Sequence, residues 1–266
     1  MIYKGVALWN YVRDDEKQLL YLAHRFYGLG FQSVSYNGRE FSLLSEQGGR
    51  ELAAFLNDTG MKLTVHYLLP DPDAPDKCQA FLNGIDHMSY WQQQYGLLNG
   101  LTFDVRYEKS RLMPYLNYTL NAMRLSGVRI AMEDYPLTQG ECSLPESVVH
   151  PLDDFGLLID IGHMNLRQTK SGSHEAADFL NAFRALPYPI HEVHVHDNLG
   201  EKDDHRWLGF GTLPLDTVAR GLHEAGFSGI ATVEIVQRDW PLEDGIRYAK
   251  DTAEKFMDAM TRASEA

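Results

Sequence analysis

Carboxylate and imidazole side chains recur where the apolar segments of this chain end. His66 lies in MKLTVHYLLP, Asp104 in GLTFDVRY and Glu133 in GVRIAMEDYP. Asp160 and His163 follow in FGLLIDIGHMN, His194 in IHEVHVHDN and Glu234 in GIATVEIV. Carboxylates are almost never fully buried unless they are paired or hold a metal. Repetition of the pattern along the chain therefore points to one shared mouth where ligands converge on a cation. Glu133, Asp160, His194 and Glu234 form the centre of that set. Carboxylates crowded to about 4 Å repel by about 4 kcal/mol per pair at an effective dielectric of about 20. They must take up protons, splay apart or share a divalent ion. A neutral histidine adds a nitrogen donor that suits Mn, Zn, Co or Fe, and the oxygen majority also admits Mg. Taken singly, any of these residues reads equally well as a helix N-cap or a surface ion pair.

The elements that must position these groups alternate strand and helix from end to end. Strand patterns fall at Tyr3–Trp9, Ser33–Tyr36, Lys62–Tyr67, Gly100–Val105, Val128–Glu133, Leu157–Ile161, Glu192–His196 and Ile230–Ile235. Several are continuous apolar runs, as expected for strands covered on both faces. Helical periodicity fills the intervals at Asp15–Gly28, Glu46–Asn57, Lys77–Tyr95, Met113–Ser126, Ser173–Ala185, Leu215–Ala225 and Leu242–Met260. Gly30, Gly60, Gly127 and Gly226 each stand between a helix and the next strand, the position of a left-handed C-cap. Eight such strand–helix units favour a single (β/α)8 TIM barrel over an open doubly wound sheet. The reading is one domain over residues 1–266, with the barrel from about 2 to 260 and a short frayed C-terminal tail. The C-terminal strand ends of such a barrel form its active face. Gly28-Leu29-Gly30 ends a helix rather than following a strand, which argues against a dinucleotide fingerprint.

Asp and Glu number 37 against 24 Lys and Arg, a net charge of −13. This balance opposes a nucleic-acid partner, which wants a basic footprint. No apolar stretch is long enough to span a bilayer, and MIYKGVALWNY reads as a first strand rather than a signal. Cys78 and Cys142 are too few for a disulfide scaffold and fit a reducing cytoplasm.

Several segments together resemble the xylose isomerase-like barrels, a superfamily of sugar and sugar-phosphate isomerases, ketose 3-epimerases and family 2 AP endonucleases. They are AMEDYP at Glu133, IDIGHMN at Asp160 and His163, HVHDN from His194, DDHRWLGFGTLP with Asp203 and His205, and TVEIV at Glu234. The similarity is clearest from Val128 to Val236; the first half matches by rhythm and by His66. The resemblance implies that Glu133, Asp160, His194 and Glu234 ligate one divalent metal while His163 orients a substrate oxygen. His196 shares its strand face with His194 and is placed behind the ligands rather than among them.

It further implies an isomerase or epimerase of sugars, sugar phosphates or keto-sugars, with Glu133 and Glu234 exchanging a proton through a metal-stabilised enediolate. The partner is then a small carbohydrate, and self-association stays open. His66, Asp104, His163, Asp203 and His205 raise an alternative with additional zinc ions, a multinuclear phosphoesterase resembling the AP endonucleases. This chain has Asp104 where those enzymes have histidine. A keto-sugar or inosose dehydratase on the same scaffold is a further alternative, and a non-catalytic sugar-binding barrel another. Arg106, Arg167, Lys202 and Arg206 are candidate contacts for an acidic substrate group, and Trp9, Tyr67 and Trp207 for a pocket wall. Glu16, Glu51 and Glu175 read as solvated helix faces.

Overall fold

Each apolar run becomes a strand, and the ring they form is closed. The computed structural model describes residues 1–11, 15–42, 44–104, 109–125, 127–133, 155–170, 172, 176–186, 188–236 and 240–266. Its strands are β1 (Tyr3–Ala7), β2 (Ser33–Asn37), β3 (Lys62–Leu68), β4 (Gly100–Asp104), β5 (Arg129–Glu133), β6 (Phe155–Asp160), β7 (Ile190–Val195) and β8 (Ile230–Val233). All neighbours are parallel and in chain order, and β1 closes the ring by pairing Gly5 with Ser33 on one side and with Thr232 on the other. A register irregularity at Leu157/Leu158 brings Asp160 opposite His194 across β6 and β7.

The helices are α1 (Glu16–Gly28), α2 (Gly38–Ser42), α3 (Glu46–Thr59), α4 (Pro75–Tyr95), α5 (Lys109–Leu125), α6 (Ile161–Lys170), α7 (Ala176–Arg184), α8 (Leu215–Glu224) and α9 (Leu242–Glu265). Local chemistry sets several ends. The Asp15 carboxylate accepts from Lys17 N and Gln18 N at the start of α1, and the Ser45 hydroxyl accepts from Gly48 N at the start of α3. Gly60 ends α3 at φ 69°, a left-handed conformation that costs a side-chain-bearing residue far more, and its N–H donates to Leu56 O.

Four details depart from the pattern read in the sequence. After Ala7 the apolar run turns into a short 3-10 helix, Leu8–Asn10, that lifts Trp9 out of the sheet. Helix α2 is too short for periodicity to reveal. Helix α6 starts directly at Ile161 with no intervening loop. The last helix also continues past Met260 to Glu265.

Apolar side chains fill the space between the sheet and the helices. Phe26, Phe31, Trp91 and Phe103 anchor the larger body, and Leu157, Phe179, Phe183, Val193 and Phe256 a second. The interior of the ring is polar by comparison. Thr64 on β3 lies 3.4 Å from Glu192 on β7, a contact between non-adjacent strands that crosses the inside of the barrel. Among the described residues no helix is long and apolar enough to cross a membrane.

Candidate active site

Asp160 is the last residue of β6 and fully buried, and the surrounding groups are arranged about it. Its Oδ1 accepts from His163 N at 2.8 Å, so the same carboxylate caps α6 and turns His163 back over the barrel mouth. His163 Nδ1 then lies 3.0 Å from Glu133 Oε1 and 3.8 Å from Asp160 Oδ2, while Nε2 lies 3.1 Å from Asp203 Oδ2. His194 Nδ1 sits 2.8 Å from Glu234 Oε2 and 3.9 Å from Asp160 Oδ2. His66 Nε2 is 3.5 Å from Glu133 Oε2, with Nδ1 on the Thr102 hydroxyl at 3.0 Å.

His196 stands closer in than the sequence suggests. Its Nε2 lies 2.9 Å and 3.0 Å from the two Asp160 oxygens, and a Cβ on Gly162 would come within 2.0 Å of its ring. The potential ligand atoms of Asp160, His196 and Glu234 fall within 4.8 Å of one another, as do those of Glu133, Asp160 and His163. A further group of that compactness is His163, His196, Asp203 and His205. Asp160 thus links Glu133 on one side to His194 and Glu234 on the other.

Asp203 and His205 come from the long connection after β7, which Asp197 organises. Its backbone pairs with Arg206, and its buried carboxylate accepts from Asn198 N (2.8 Å), Gly209 N (3.0 Å), Gly211 N (2.9 Å) and Leu213 N (3.2 Å). Gly211 is required there by space, because a Cβ would lie 1.9 Å from Asn198 O. Below, Asn165 Nδ2 donates to Asn198 O and Asn198 Nδ2 donates to Gly162 O, tying the connection to α6. His205 is held at φ 45°, uncommon for a residue with a side chain. Its Nε2 is 2.9 Å from Asp203 Oδ2, its Nδ1 is 3.1 Å from Glu234 O, and its ring stacks on His196 at 4.0 Å.

Burial works against every charge here, and the mutual pairing overrides it. Burial raises the Glu133 carboxyl, but the His163 hydrogen bond and the His66 charge hold it below its usual value. Asp160 is held well below its range by His163, His196 and His194 against the same penalty. Burial disfavours the imidazolium of His194, yet Glu234 pushes it up to about 10, and Glu234 and Asp203 push His205 up to about 9. Glu234 in turn falls to about 2 because His194 and His205 outweigh its burial. His163 is raised well above its usual value by Asp160, Asp203 and Glu133, and Asp203 is lowered by His163 and His205.

Among the described residues every ion-pair partner of Glu133, Asp160 and Glu234 is a histidine. Among the described residues no lysine or arginine pairs with these carboxylates, and the protons that His163, His194 and His205 carry beside them are ones a cation can displace. Buried carboxylates with imidazoles and exchangeable protons fit a divalent metal.

Other residues singled out in the sequence divide. Asp104 ends β4 as a buried residue but is not among the compact groups about Asp160. Trp9 stacks on His66 at 5.6 Å and lies 6.2 Å from His194, so it walls the mouth. Tyr67 packs against Phe81 on the helix side of β3, and Trp207 stacks on Tyr248 at 4.2 Å. The Arg206 guanidinium lies over Phe210 and Trp240, and Lys202 reaches Asp204 at 3.4 Å. Arg167 is on α6. Arg106, Cys142 and Glu175 lie outside the described residues. Glu16 is more than a solvated face: it accepts from Ser45 N and Ser45 Oγ, joining α1 to α3. Glu51 accepts from Gln47. Sequence reasoning missed Glu192 and the organising role of Asp197. The alternation Glu192, His194, His196 on one strand face was the available signal for the first.

Residues 27–256 match the family described as xylose isomerase-like TIM barrel, and this chain belongs to that family. Among solved structures it is similar to L-ribulose 3-epimerase, with a TM-score of 0.70 and 17% identity over 100% of this chain and 96% of that one. D-psicose 3-epimerase from Clostridium cellulolyticum H10, solved with D-tagatose, gives 0.63 and 15% identity over 98% and 99%. The IOLI protein with a bound zinc atom gives 0.59 and 17% identity over 98% and 96%. These likenesses are of fold. The uncharacterized protein MJ1311 of Methanocaldococcus jannaschii is 30% identical over 114 residues, 41% of this chain. That match spans 37% of its relative's length.

Proposed function

We propose that this chain is a divalent-metal-dependent isomerase or epimerase acting on a small sugar, sugar phosphate or keto-sugar. The observation that carries the reading is the junction at Asp160, through which acidic and imidazole groups from β5, β6, β7 and the end of β8 meet at one mouth. Glu133, Asp160, His194 and Glu234 would hold the metal. A divalent ion there supplies positive charge for a substrate carbonyl and its neighbouring hydroxyl. Glu133 and Glu234 are the groups assigned to take a proton from the carbon beside that carbonyl and to return one. Positioned acid–base groups of this kind contribute about 10²–10⁴-fold in rate. His163, fixed between Glu133 and Asp203, orients a substrate oxygen, and Trp9 covers an apolar sugar face.

The 3-epimerase likenesses support a carbohydrate substrate without specifying which, and the zinc atom of the IOLI protein supports a divalent metal. A second reading, a multinuclear zinc phosphoesterase, draws on the compact group His163, His196, Asp203 and His205. Elemental analysis of protein purified without chelator, joined to a solvent-deuterium exchange screen over ketoses and keto-sugars, tests both. About one metal per chain with deuterium incorporated beside a carbonyl is expected. Two or three zinc ions with phosphoesterase turnover would favour the second reading. Metal-loaded protein that exchanges no carbon-bound proton across the screen would overturn the first.

A further inference from the structure

Among the described residues, Glu192 is the one acidic side chain placed inside the barrel below the mouth that the proposed chemistry leaves unused. It precedes His194 by two residues on β7, so both side chains point inward, one above the other. Only 2% of its surface is exposed, in a position that TIM barrels usually fill with branched apolar residues. Its Oε1 accepts from the Thr232 hydroxyl at 2.5 Å and the Thr64 hydroxyl at 3.4 Å, which fixes the carboxylate from β8 and β3. The same oxygen lies 3.8 Å from His194 Nε2.

The two nitrogens of His194 therefore face different environments. Nδ1 looks to the mouth, toward Glu234 and Asp160. Nε2 looks down the barrel, is buried, and has no hydrogen-bond partner. A buried N–H left unpaired costs about 1–3 kcal/mol. Glu192 is the acceptor placed to remove that cost, and a side-chain adjustment of about 1 Å brings the pair to hydrogen-bond length.

Resting on the metal-dependent reading above, we infer that Glu192 is a positioning residue for His194. Its carboxylate accepts a hydrogen bond from the Nε2–H, and this holds the ring in the tautomer whose Nδ1 lone pair faces the mouth. Metal-binding histidines characteristically donate their other ring N–H to such a partner, and losing it costs about 10–100-fold in metal affinity. Glu192 also borders a cavity of about 340 Å³ between Thr64, Thr102 and Arg129, so a replacement side chain has room to settle.

The test uses the full chain, metal-free, titrated calorimetrically with Mn²⁺, alongside Glu192→Leu and Glu192→Gln. Leucine removes the acceptor at similar size, and glutamine keeps one acceptor oxygen. Affinity is expected to fall about 10–100-fold in Glu192→Leu and to recover in part in Glu192→Gln. In the zinc-loaded proteins, the ¹⁵N–¹H resonance of His194 Nε2 is expected to lose its strongly hydrogen-bonded shift in the leucine variant. A folded Glu192→Leu that binds Mn²⁺ like the parent with an unchanged His194 resonance overturns the role of Glu192 while leaving the metal site standing. A parent chain that binds no divalent cation overturns the metal reading and this inference with it.

Discussion

Replacing Asp197 by alanine isolates the device that presents Asp203 and His205. One buried carboxylate accepts four backbone N–H groups, from Asn198, Gly209, Gly211 and Leu213. Hydrogen bonds to a charged acceptor are worth about 1.5–3 kcal/mol each, and a donor left buried costs about 1–3 kcal/mol. Gly209 and Gly211 lie near the surface and can turn to water, so the full sum does not apply. About 3–5 kcal/mol of lost stability follows, with a fall in Tm on the order of 10 °C for a domain of this size. Asn at this position offers one carbonyl oxygen in place of two carboxylate oxygens and should cost about half as much. Urea denaturation of the metal-free chain gives the free energy. Hydrogen exchange at the Gly209, Gly211 and Leu213 amides shows whether the loss is local to this connection. A change below about 1 kcal/mol with those amides still protected would refute the assignment of Asp197 as the organiser.

The pH dependence has a defined sign. His194 rises from 6.5 to about 10 and His205 to about 9 on folding, so their stabilisation is complete below pH 6.5 and is lost as pH climbs through those values. Glu234 drops from 4.5 to about 2, so its share is present above 4.5 and is lost as pH falls through about 2. A divalent cation competes with the histidine protons; Mn²⁺ titrations in buffers of differing ionisation enthalpy should show proton release at pH 7, and none would count against the assigned donors. Glu234→Gln keeps the shape but removes the charge, and is expected to abolish turnover and weaken metal retention; normal turnover at full metal loading would refute its double role. Gly162→Ala puts a Cβ within 2.0 Å of the His196 ring, so a crystal structure should show that ring displaced from Asp160, at a cost of about 1–3 kcal/mol.

The sequence conveys the barrel well because eight strand patterns, several of them continuous apolar runs, alternate with amphipathic helices. Periodicity fails where tertiary groups do the work. Helix α6 carries glycine and asparagine near its start, and its first turn is capped by Asp160, a residue whose type announces chemistry rather than a helix end. Trp9 continues an apolar run in sequence, yet the backbone turns after Ala7 to bring its ring over His66. The candidate site was legible as residue types at strand ends, since strand ends share one rim. What one-dimensional spacing cannot convey is that His196 lies within 3.0 Å of both Asp160 oxygens. The register irregularity between β6 and β7, and the close approach permitted by Gly162, are three-dimensional causes.

Ring closure between β1 and β8 also governs how the chain can be made. As a ribosome delivers residues in order, β1 waits with one edge bare until Ile230–Val233 emerges, and β7 waits for the same segment. Glu234, the counter-charge for His194, follows immediately behind. A nascent chain halted before residue 230 therefore exposes two unsatisfied strand edges and lacks the nearest carboxylate to His194, a form suited to chaperone capture or self-association rather than to a smaller working barrel.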